Sequence, residues 1–235
     1  DDVAGFTIEE TDGSTEVDES GTTDIFTVVL DAQPTSDVVL TITSDDTGEA
    51  TVPASVTFTA ADWDTPQTVT VTGVDDSIID GTVTSTITVA VDDANSDDDF
   101  DGLDDQTVSV DTLDDDVAGF TIEETDGSTE VDESGSTDIF TIVLDAQPTN
   151  DVVVLATASN DETEATVSGS ITFTSENWDT PQTVTVTGVD DDLVDGDQTY
   201  DITISIVDTI SDDEFDGVAD QSVSSKTLDD DAPGF

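Results

Sequence analysis

The sequence predicts an all-β chain built from two tandem immunoglobulin-like antiparallel β-sandwich domains. The first observation behind this prediction is an internal repeat. Residues 2–13 return unchanged as residues 116–127, and Trp63 returns as Trp178. The predicted organisation is a sandwich repeat at residues 1–115, a second at 116–231, each of ordinary domain size, and the start of a third at 232–235.

The second observation is a period-two alternation of apolar and polar residues, which marks strands with one buried face. Val69 and Val71, for example, alternate with threonines, and both residue types favour strands. About eight short strands with Gly, Asp and Pro between them are typical of an immunoglobulin-like sandwich. The strands of the first repeat are predicted at residues 4–10, 14–18, 23–31, 37–43, 50–59, 67–74, 83–92 and 106–113.

Large apolar residues recur at matching places in both repeats and are predicted to form the two cores. In the second repeat they are Phe140, Leu144, Phe173, Trp178 and Val186. Their counterparts in the first repeat are Phe26, Leu30, Phe58, Trp63 and Val71. A tryptophan at the same point of each repeat favours packing over a sugar-stacking role.

The charge of the chain is its most unusual property. The sequence contains sixty Asp and Glu residues and one basic residue, Lys226, with no Arg or His, so the net charge is -59. Because the chain has almost no basic side chains, either bound divalent cations or a concentrated salt medium must offset the repulsion.

Nucleic acid is excluded as a partner, since binding phosphate requires Lys and Arg. No apolar run is long enough to predict membrane insertion, and the absence of Cys and Met suits an extracellular or cell-surface location.

Carboxylates cluster where the predicted strands of the first repeat end. Several carboxylates that converge on one point are unfavourable unless a cation joins them. Because alternate loops of a sandwich share an end, we expect these segments to meet at one tip. The clusters are Glu19, the pair Asp45 and Asp46, the group Asp75, Asp76 and Asp80, and the run from Asp114 to Asp116.

The order and spacing of these segments resemble the Calx-beta module, the calcium-binding β-sandwich of sodium/calcium exchangers and of many large bacterial surface proteins. The segments that carry the resemblance are residues 17–21, 45–50, 57–59, 69–71, 75–81 and 114–116. The resemblance implies that Ca²⁺ is held in the first repeat by Glu19, Asp46, Asp75, Asp76, Asp80, Asp114, Asp115 and Asp116. The ligands that it implies for the second repeat are Glu133, Asp161, Asp190, Asp191, Asp195, Asp229, Asp230 and Asp231. The family often has another acidic residue where this chain has Val83 and Gln198, which implies fewer ions or weaker binding.

A separate acidic loop precedes the last strand of each repeat. It fits the D-x-D-x-D-G start of a calcium loop, in which alternate carboxylates face inward. The twelfth position is Val108 or Val223, so the bidentate Glu of a full loop is missing. Metal binding and a purely acidic hairpin turn both remain open for this loop. The candidate ligands are Asp97, Asp99 and Asp101, then Asp212, Glu214 and Asp216.

The sequence does not favour an enzyme. The triplet Asp46-Thr47-Gly48 matches that of aspartic proteases, but the second repeat replaces it with Asp161-Glu162-Thr163. Paired carboxylates also serve glycosidases, which need one carboxyl group with a raised pKa beside an ionised partner. No His, Cys or Arg supports either chemistry.

The sequence therefore predicts a Ca²⁺-binding structural repeat that acts as a spacer in an adhesin-like stalk. The expected partners are neighbouring repeats of the same chain, together with other copies if the protein assembles into filaments. Strand exchange in a filament is an alternative, and so is a carbohydrate-binding or ice-binding module on the threonine-rich faces. A salt-adapted surface protein without specific metal would also explain the charge.

Overall fold

The structure is a computed structural model that describes residues 3–159 and 163–232. Within those residues the chain is nearly all β, with eighteen strands and five short 3₁₀ turns. Its antiparallel-rich sheets confirm the predicted class of tandem immunoglobulin-like sandwiches. Packing divides the chain into a first unit, residues 3–76 with 80–115, and a second unit, residues 77–79 with 116–159 and 163–232.

The first unit contains nine strands in two sheets. One sheet has the order β1-β3-β7-β5 and the other β2-β9-β8-β4-β6, in which β2 and β9 are parallel. Its 3₁₀ turns are Thr11–Gly13 and Asp98–Phe100. The strands are β1 (Phe6–Glu10), β2 (Thr15–Asp18), β3 (Thr23–Leu30), β4 (Val38–Ser44), β5 (Ala50–Thr51), β6 (Ser55–Phe58), β7 (Gln67–Gly73), β8 (Val83–Val91) and β9 (Gln106–Leu113).

The second unit repeats this topology. Its sheets have the orders β10-β12-β16-β14 and β11-β18-β17-β13-β15. Its 3₁₀ turns are Thr125–Gly127, Asp208–Ile210 and Asp213–Phe215. The strands are β10 (Phe120–Glu124), β11 (Thr129–Asp132), β12 (Thr137–Leu144), β13 (Val152–Ala158), β14 (Ala165–Val167), β15 (Ser170–Phe173), β16 (Gln182–Gly188), β17 (Gln198–Ile206) and β18 (Gln221–Leu228).

The single strand predicted at residues 50–59 is wrong, because the structure has two strands there. Strand β5 pairs with β7 in one sheet, whereas β6 pairs with β4 in the other. Pro53 lies between them and has no N–H to give to a ladder, so a continuous strand is unfavourable at that point. The chain uses this break to cross from one sheet to the other.

Each unit has its own apolar core between its two sheets. Phe26, Phe58 and Val71 are fully buried in the first unit. Trp63 is only half-buried, and packs at the margin of the core while its backbone carbonyl accepts a hydrogen bond from Leu30 N at 3.1 Å. The tryptophans therefore close the cores rather than fill them.

The strand register places four acidic segments of the first unit at the same end of the sandwich. Thr23 lies opposite Thr72, and Asp18 lies opposite Leu113. The loops that follow β2, β4 and β7, and the segment that follows β9, therefore meet at this end, which we call the acidic end. The loops that follow β3 and β8 lie at the other end, which we call the basal end. The second unit has the same two ends because its topology is the same.

Candidate metal centre

Glu19 is the most deeply buried carboxylate of the first unit. It is 1 % exposed, and it stands directly after β2, where its backbone N–H donates to Leu113 O at 3.0 Å. This bond continues the parallel pairing of β2 with β9. The turn that follows is closed by Gly21, whose φ of 89° lies in the left-handed region that favours glycine. The backbone therefore fixes the Glu19 side chain inside the acidic end.

Further carboxylates of the first unit converge on Glu19. One carboxylate oxygen from each of Glu19, Glu49 and Asp80 lies within 4.8 Å of the others. The charges of Asp76 and Asp114 act on all three of these groups. Glu49 is itself buried, at 7 % exposure, whereas Asp80 is exposed. We call these five side chains the first-unit carboxylate cluster.

Two backbone features hold the loops of this cluster in place. Asp114 Oδ2 accepts hydrogen bonds from Asp80 N at 3.0 Å and from Gly81 N at 2.8 Å, so it fastens the loop after β7 to the end of β9. Gly73 passes so close to the carbonyl oxygen of Asp18 that any Cβ at this position would clash with it. A side chain at Gly73 would therefore push the loops of the cluster apart.

The electrostatics of the cluster are unfavourable without a counter-charge. Burial raises the pKa of Glu19 to about 7 from an ordinary 4.5. The negative charges that add to this rise come from Asp76, Asp114, Asp80 and Glu49. Burial likewise raises the pKa of Glu49 and of Asp80, and neighbouring carboxylates raise both further. The one basic side chain of the sequence, Lys226, belongs to the second unit and pairs there with Asp197.

The second unit builds an equivalent site. Glu133 is 1 % exposed, and oxygens of Glu133, Asp229 and Asp231 lie within 4.8 Å of one another. Burial raises the pKa of Glu133 to about 6, and the charge of Asp229 is the largest further contribution. Asp191, Glu164 and Asp195 contribute in the same direction, which places them around Glu133. We call these six side chains the second-unit carboxylate cluster.

Glu49 and Glu164 belong to these clusters but were not among the ligands inferred from the sequence. Glu49 follows the turn of Asp46, whose Oδ1 accepts a hydrogen bond from Gly48 N at 2.9 Å. That turn directs the chain inward, and the backbone carbonyl of Glu49 then accepts a hydrogen bond from Val74 N. The one available signal was the glutamate kept before the alanine of β5 and of β14.

The residues present fit a bound cation. Glu19 Oε2 and Glu49 Oε2 are buried and accept no hydrogen bond from the described part of the chain. The same is true of Glu133 Oε2 and Asp231 Oδ2 in the second unit. A buried carboxylate oxygen without a donor is costly, and a cation removes that cost by direct coordination. An all-oxygen donor set of this kind suits the hard cations Ca²⁺ and Mg²⁺.

The remaining sequence-predicted ligands occupy more varied positions. Asp46 is exposed, but its charge acts on Glu49 and Asp80. Asp161 lies outside the described residues. Asp75, Asp115, Asp190 and Asp230 are exposed, and Asp116 is half-buried after β9. The charges of Asp190 and Asp230 help to raise the pKa of Asp231, after burial and Asp192.

Asp97, the first residue of the predicted D-x-D-x-D-G loop, is buried by protein contacts. Its Oδ2 accepts hydrogen bonds from Thr35 N, Thr35 Oγ1 and Ser36 N at 2.6–2.8 Å. Its Oδ1 caps the 3₁₀ turn by accepting from Asp99 N at 3.1 Å. The Thr35 hydroxyl, followed by the backbone donors, holds the pKa of Asp97 well below its usual range. Asp212 makes equivalent bonds to Thr149 and Asn150.

The other residues of this loop, Asp99, Asp101, Glu214 and Asp216, are exposed. Burial and the charge of Asp93 raise the pKa of Asp101, and burial and Asp208 raise that of Asp216. The loop therefore concentrates negative charge at the basal end. Four hydrogen bonds account for the burial of Asp97, and a metal ion at this loop stays a prediction.

We expect Asp97→Ala to destabilise the first unit strongly, because charge-assisted hydrogen bonds to two segments are lost together. A fall in Tm of about 10 °C is consistent with losing several such bonds. Thermal unfolding followed by circular dichroism measures it. Asp99→Ala is the matched control, since Asp99 is exposed and two residues away. Equal shifts for the two variants would contradict a fastening role for Asp97.

Comparisons with known proteins add little to this description. No family model and no curated protein matches the chain. The chain is similar in structure to calcium binding domain CBD12 of CALX1.1, at 15 % identity and a TM-score of 0.35, over 85 % of this chain and 80 % of that one. It is also similar to domains 4 and 5 of the S-layer protein SbsC, at 15 % identity and a TM-score of 0.36, over 97 % and 100 %. The D00-D0 domain of Intimin shows 12 % identity and a TM-score of 0.31, over 94 % and 99 %.

At these identities and TM-scores the likenesses assign neither a function nor a ligand. The family suggested by the sequence therefore rests on the residues themselves, whereas the β-sandwich fold is established by the strands.

The part of the chain that the structure describes contains no helix long and apolar enough to cross a membrane.

Proposed function

We propose that the chain is a non-catalytic, calcium-binding tandem repeat of a large extracellular or cell-surface protein, and that bound Ca²⁺ stiffens it as a spacer in an adhesin-like stalk. The observation that carries the proposal is a buried glutamate at the centre of each carboxylate cluster, whose Oε2 accepts no hydrogen bond from the residues that the structure describes. Folding a chain around such a group is unfavourable unless a cation binds there. The same arrangement recurs in both repeats, which favours a selected site over an accident of composition.

Ca²⁺ is the cation that the donor set favours. It takes six to eight oxygen ligands in flexible geometry, whereas Mg²⁺ demands a near-ideal octahedron and keeps several waters. The first-unit carboxylate cluster offers five carboxylates on four separate segments, an arrangement that suits the less demanding ion. We expect affinities of extracellular strength, with a Kd on the order of 10⁻⁴ to 10⁻³ M.

The chain's own residues would turn ion binding into stiffness. Glu19 is tied to β9 through Leu113, and Asp114 holds the loop after β7. Asp114 also belongs to the sequence that leads from one repeat into the next. That sequence, residues 113–117, contains no Gly or Ser spacer. A bound ion would supply the positive charge that allows these carboxylates to lie close together. Because Asp114 belongs to the linker between the repeats, holding Asp114 in place would also restrain the linker.

Small-angle scattering of the whole chain tests the spacer role. In millimolar Ca²⁺ we expect the chain to be extended, with a narrow distribution of overall dimensions, and in chelator we expect a broader distribution. The reason is that the bound ion removes the repulsion between carboxylates, which otherwise opposes a single arrangement of the linker. Replacing Asp115 and Asp116 by Ser should abolish the narrowing while the melting response to Ca²⁺ remains.

Two controls distinguish stiffening of the linker from a general effect of charge and from ionic screening. Asp104 and Asp105 are adjacent, exposed acidic residues, so their replacement by Ser changes the charge equally and should leave the narrowing intact. Sodium chloride at matched ionic strength should not reproduce the effect of Ca²⁺. If the wild-type chain has the same distribution with and without Ca²⁺, the spacer mechanism is wrong even where Ca²⁺ binds.

A further inference from the structure

The basal end of the second unit carries a short apolar segment that is distant in sequence from its strands. Ser77–Ile79 belongs to this unit by its packing. Ser77 O accepts a hydrogen bond from Gln147 N at 2.6 Å, and Ile78 forms a β-bridge with Gln147. Ile79 packs against the core of the unit, beside Ala118 and Val218. This surface is therefore suited to a hydrophobic loop.

The first unit has the same surface at its own basal end. Gln33 corresponds to Gln147, Ala4 to Ala118 and Leu103 to Val218. Here the surface forms an open groove of about 590 Å³, compared with about 340 Å³ beside Ile79 in the second unit. The apolar part of its lining consists of Val3, Ala4, Ala32, Pro34, Phe100 and Leu103. Val3 is 76 % exposed, so the apolar lining is open to an occupant.

The second unit also presents a loop of the same kind as Ser77–Ile79. Residues 190–195 match residues 75–80, so that Leu193 and Val194 stand where Ile78 and Ile79 stand. Ile78 and Ile79 are half-buried, but Leu193 and Val194 are 61 % and 54 % exposed. These two large apolar side chains at the tip of an acidic loop do not pack against the core of their own unit. Their exposure leaves them available for a contact outside it.

We propose that the basal groove of the first unit is a docking site for the loop at residues 192–194 of a second copy of this chain. The pairing would repeat the one inside the second unit, with Asp192 O accepting from Gln33 N and Val194 against Leu103. The loop lies at the acidic end of a sandwich and the groove at the basal end. The contact is therefore heterologous, and copies would join head to tail into a linear array. This inference does not depend on metal binding.

The contact is small and both partners are acidic, so its affinity between free molecules is low. Inside a tandem array the effective concentration of a neighbouring repeat is in the millimolar range, where a weak contact suffices. Between free copies, salt of about 1 M shortens the screening length to about 3 Å and removes most of the repulsion. Disulfide trapping under these conditions captures such short-lived encounters.

Because the chain has no cysteine, single-cysteine variants report on one position each. We would mix Gln33→Cys with a mass-tagged Asp192→Cys protein, oxidise the mixture and measure the mixed dimer by mass spectrometry. The control pair is Thr47→Cys with Asp192→Cys, since Thr47 is an exposed polar residue at the acidic end. We expect about tenfold more mixed dimer from the groove pair, a preference that corresponds to about 1.4 kcal/mol. Equal yields from both pairs would overturn the proposal.

A second variant tests the identity of the occupant. Leu193→Asp with Val194→Asp, added to the Asp192→Cys protein, should reduce the yield to that of the control pair. Both side chains are exposed, so the fold should be kept, and an unchanged circular dichroism melting curve checks this. If the excess of mixed dimer persists in this variant, another segment fills the groove and the proposed pairing is wrong.

Discussion

Ca²⁺ at about 10 mM, roughly one hundred times a Kd of 10⁻⁴ M, is expected to raise the melting temperature of the chain by about 10 °C relative to chelator. A ligand that binds only the folded state adds RT ln(1 + [L]/Kd) to the free energy of unfolding, which is about 2.7 kcal/mol at one hundred times Kd. For domains of this size, 1 kcal/mol shifts Tm by roughly 4 °C or more. Differential scanning calorimetry at several Ca²⁺ concentrations measures the shift and its dependence on concentration.

Glu19 allows a matched test of where the ion acts. Glu19→Gln removes a buried charge at the centre of the first-unit carboxylate cluster, so the variant should be more stable than wild type in chelator but gain much less from Ca²⁺. Glu16→Gln removes an exposed charge from β2, the short strand that Glu19 follows, and should keep the full response to Ca²⁺. The pair Glu133→Gln and Glu130→Gln makes the same comparison in the second unit.

The competing explanation is general screening of an extremely acidic chain. Sodium chloride at the ionic strength of the Ca²⁺ solution tests it directly, because screening depends on ionic strength and not on the identity of the ion. A shift in sodium as large as that in Ca²⁺ would show that the carboxylate clusters are not specific sites. An equal response of Glu19→Gln and Glu16→Gln would lead to the same conclusion.

Much of the fold follows from the sequence because it depends on local patterns. Val69 and Val71 alternate with threonines, and β7 runs from Gln67 to Gly73 close to where the alternation places it. The break between β5 and β6 was missed, since apolar and β-branched residues continue on both sides of Pro53. Whether a chain stays in one sheet or crosses to the other is decided by tertiary packing, and the local pattern does not contain that information.

The candidate site was predictable where it depends on topology and not where it depends on burial. Glu19, Asp76 and Asp80 stand at strand ends that any sandwich of this order brings together. Glu49 is not among the ligands that the sequence predicts, and only the fold reveals its 7 % exposure. At the loop that starts at Asp97, the motif does not indicate that the Asp97 carboxylate caps a 3₁₀ turn, and a metal ion there stays a prediction.

The dependence of stability on pH should differ in sign between chelator and Ca²⁺. In chelator, the pKa of Glu19 is about 7 in the folded state against 4.5 ordinarily. Between these values the folded chain holds a proton that the unfolded chain has released, so the free energy of unfolding falls as pH rises through this window. For Glu133 this window ends at a lower pH, because the pKa of Glu133 in the folded state is about 6.

Ca²⁺ should reverse this trend because it binds the ionised carboxylates and competes with the proton for them. The gain from Ca²⁺ should therefore grow from about pH 5 to about pH 7, so that the two stability curves separate as pH rises. Urea unfolding at several pH values, with and without Ca²⁺, measures both curves. Glu19→Gln should flatten the chelator curve of the first unit above about pH 6, where Glu133 no longer contributes, while Glu16→Gln should leave it unchanged. If the fall in chelator persists in Glu19→Gln, the repulsion is spread over the whole acidic surface and is not concentrated at the buried glutamate.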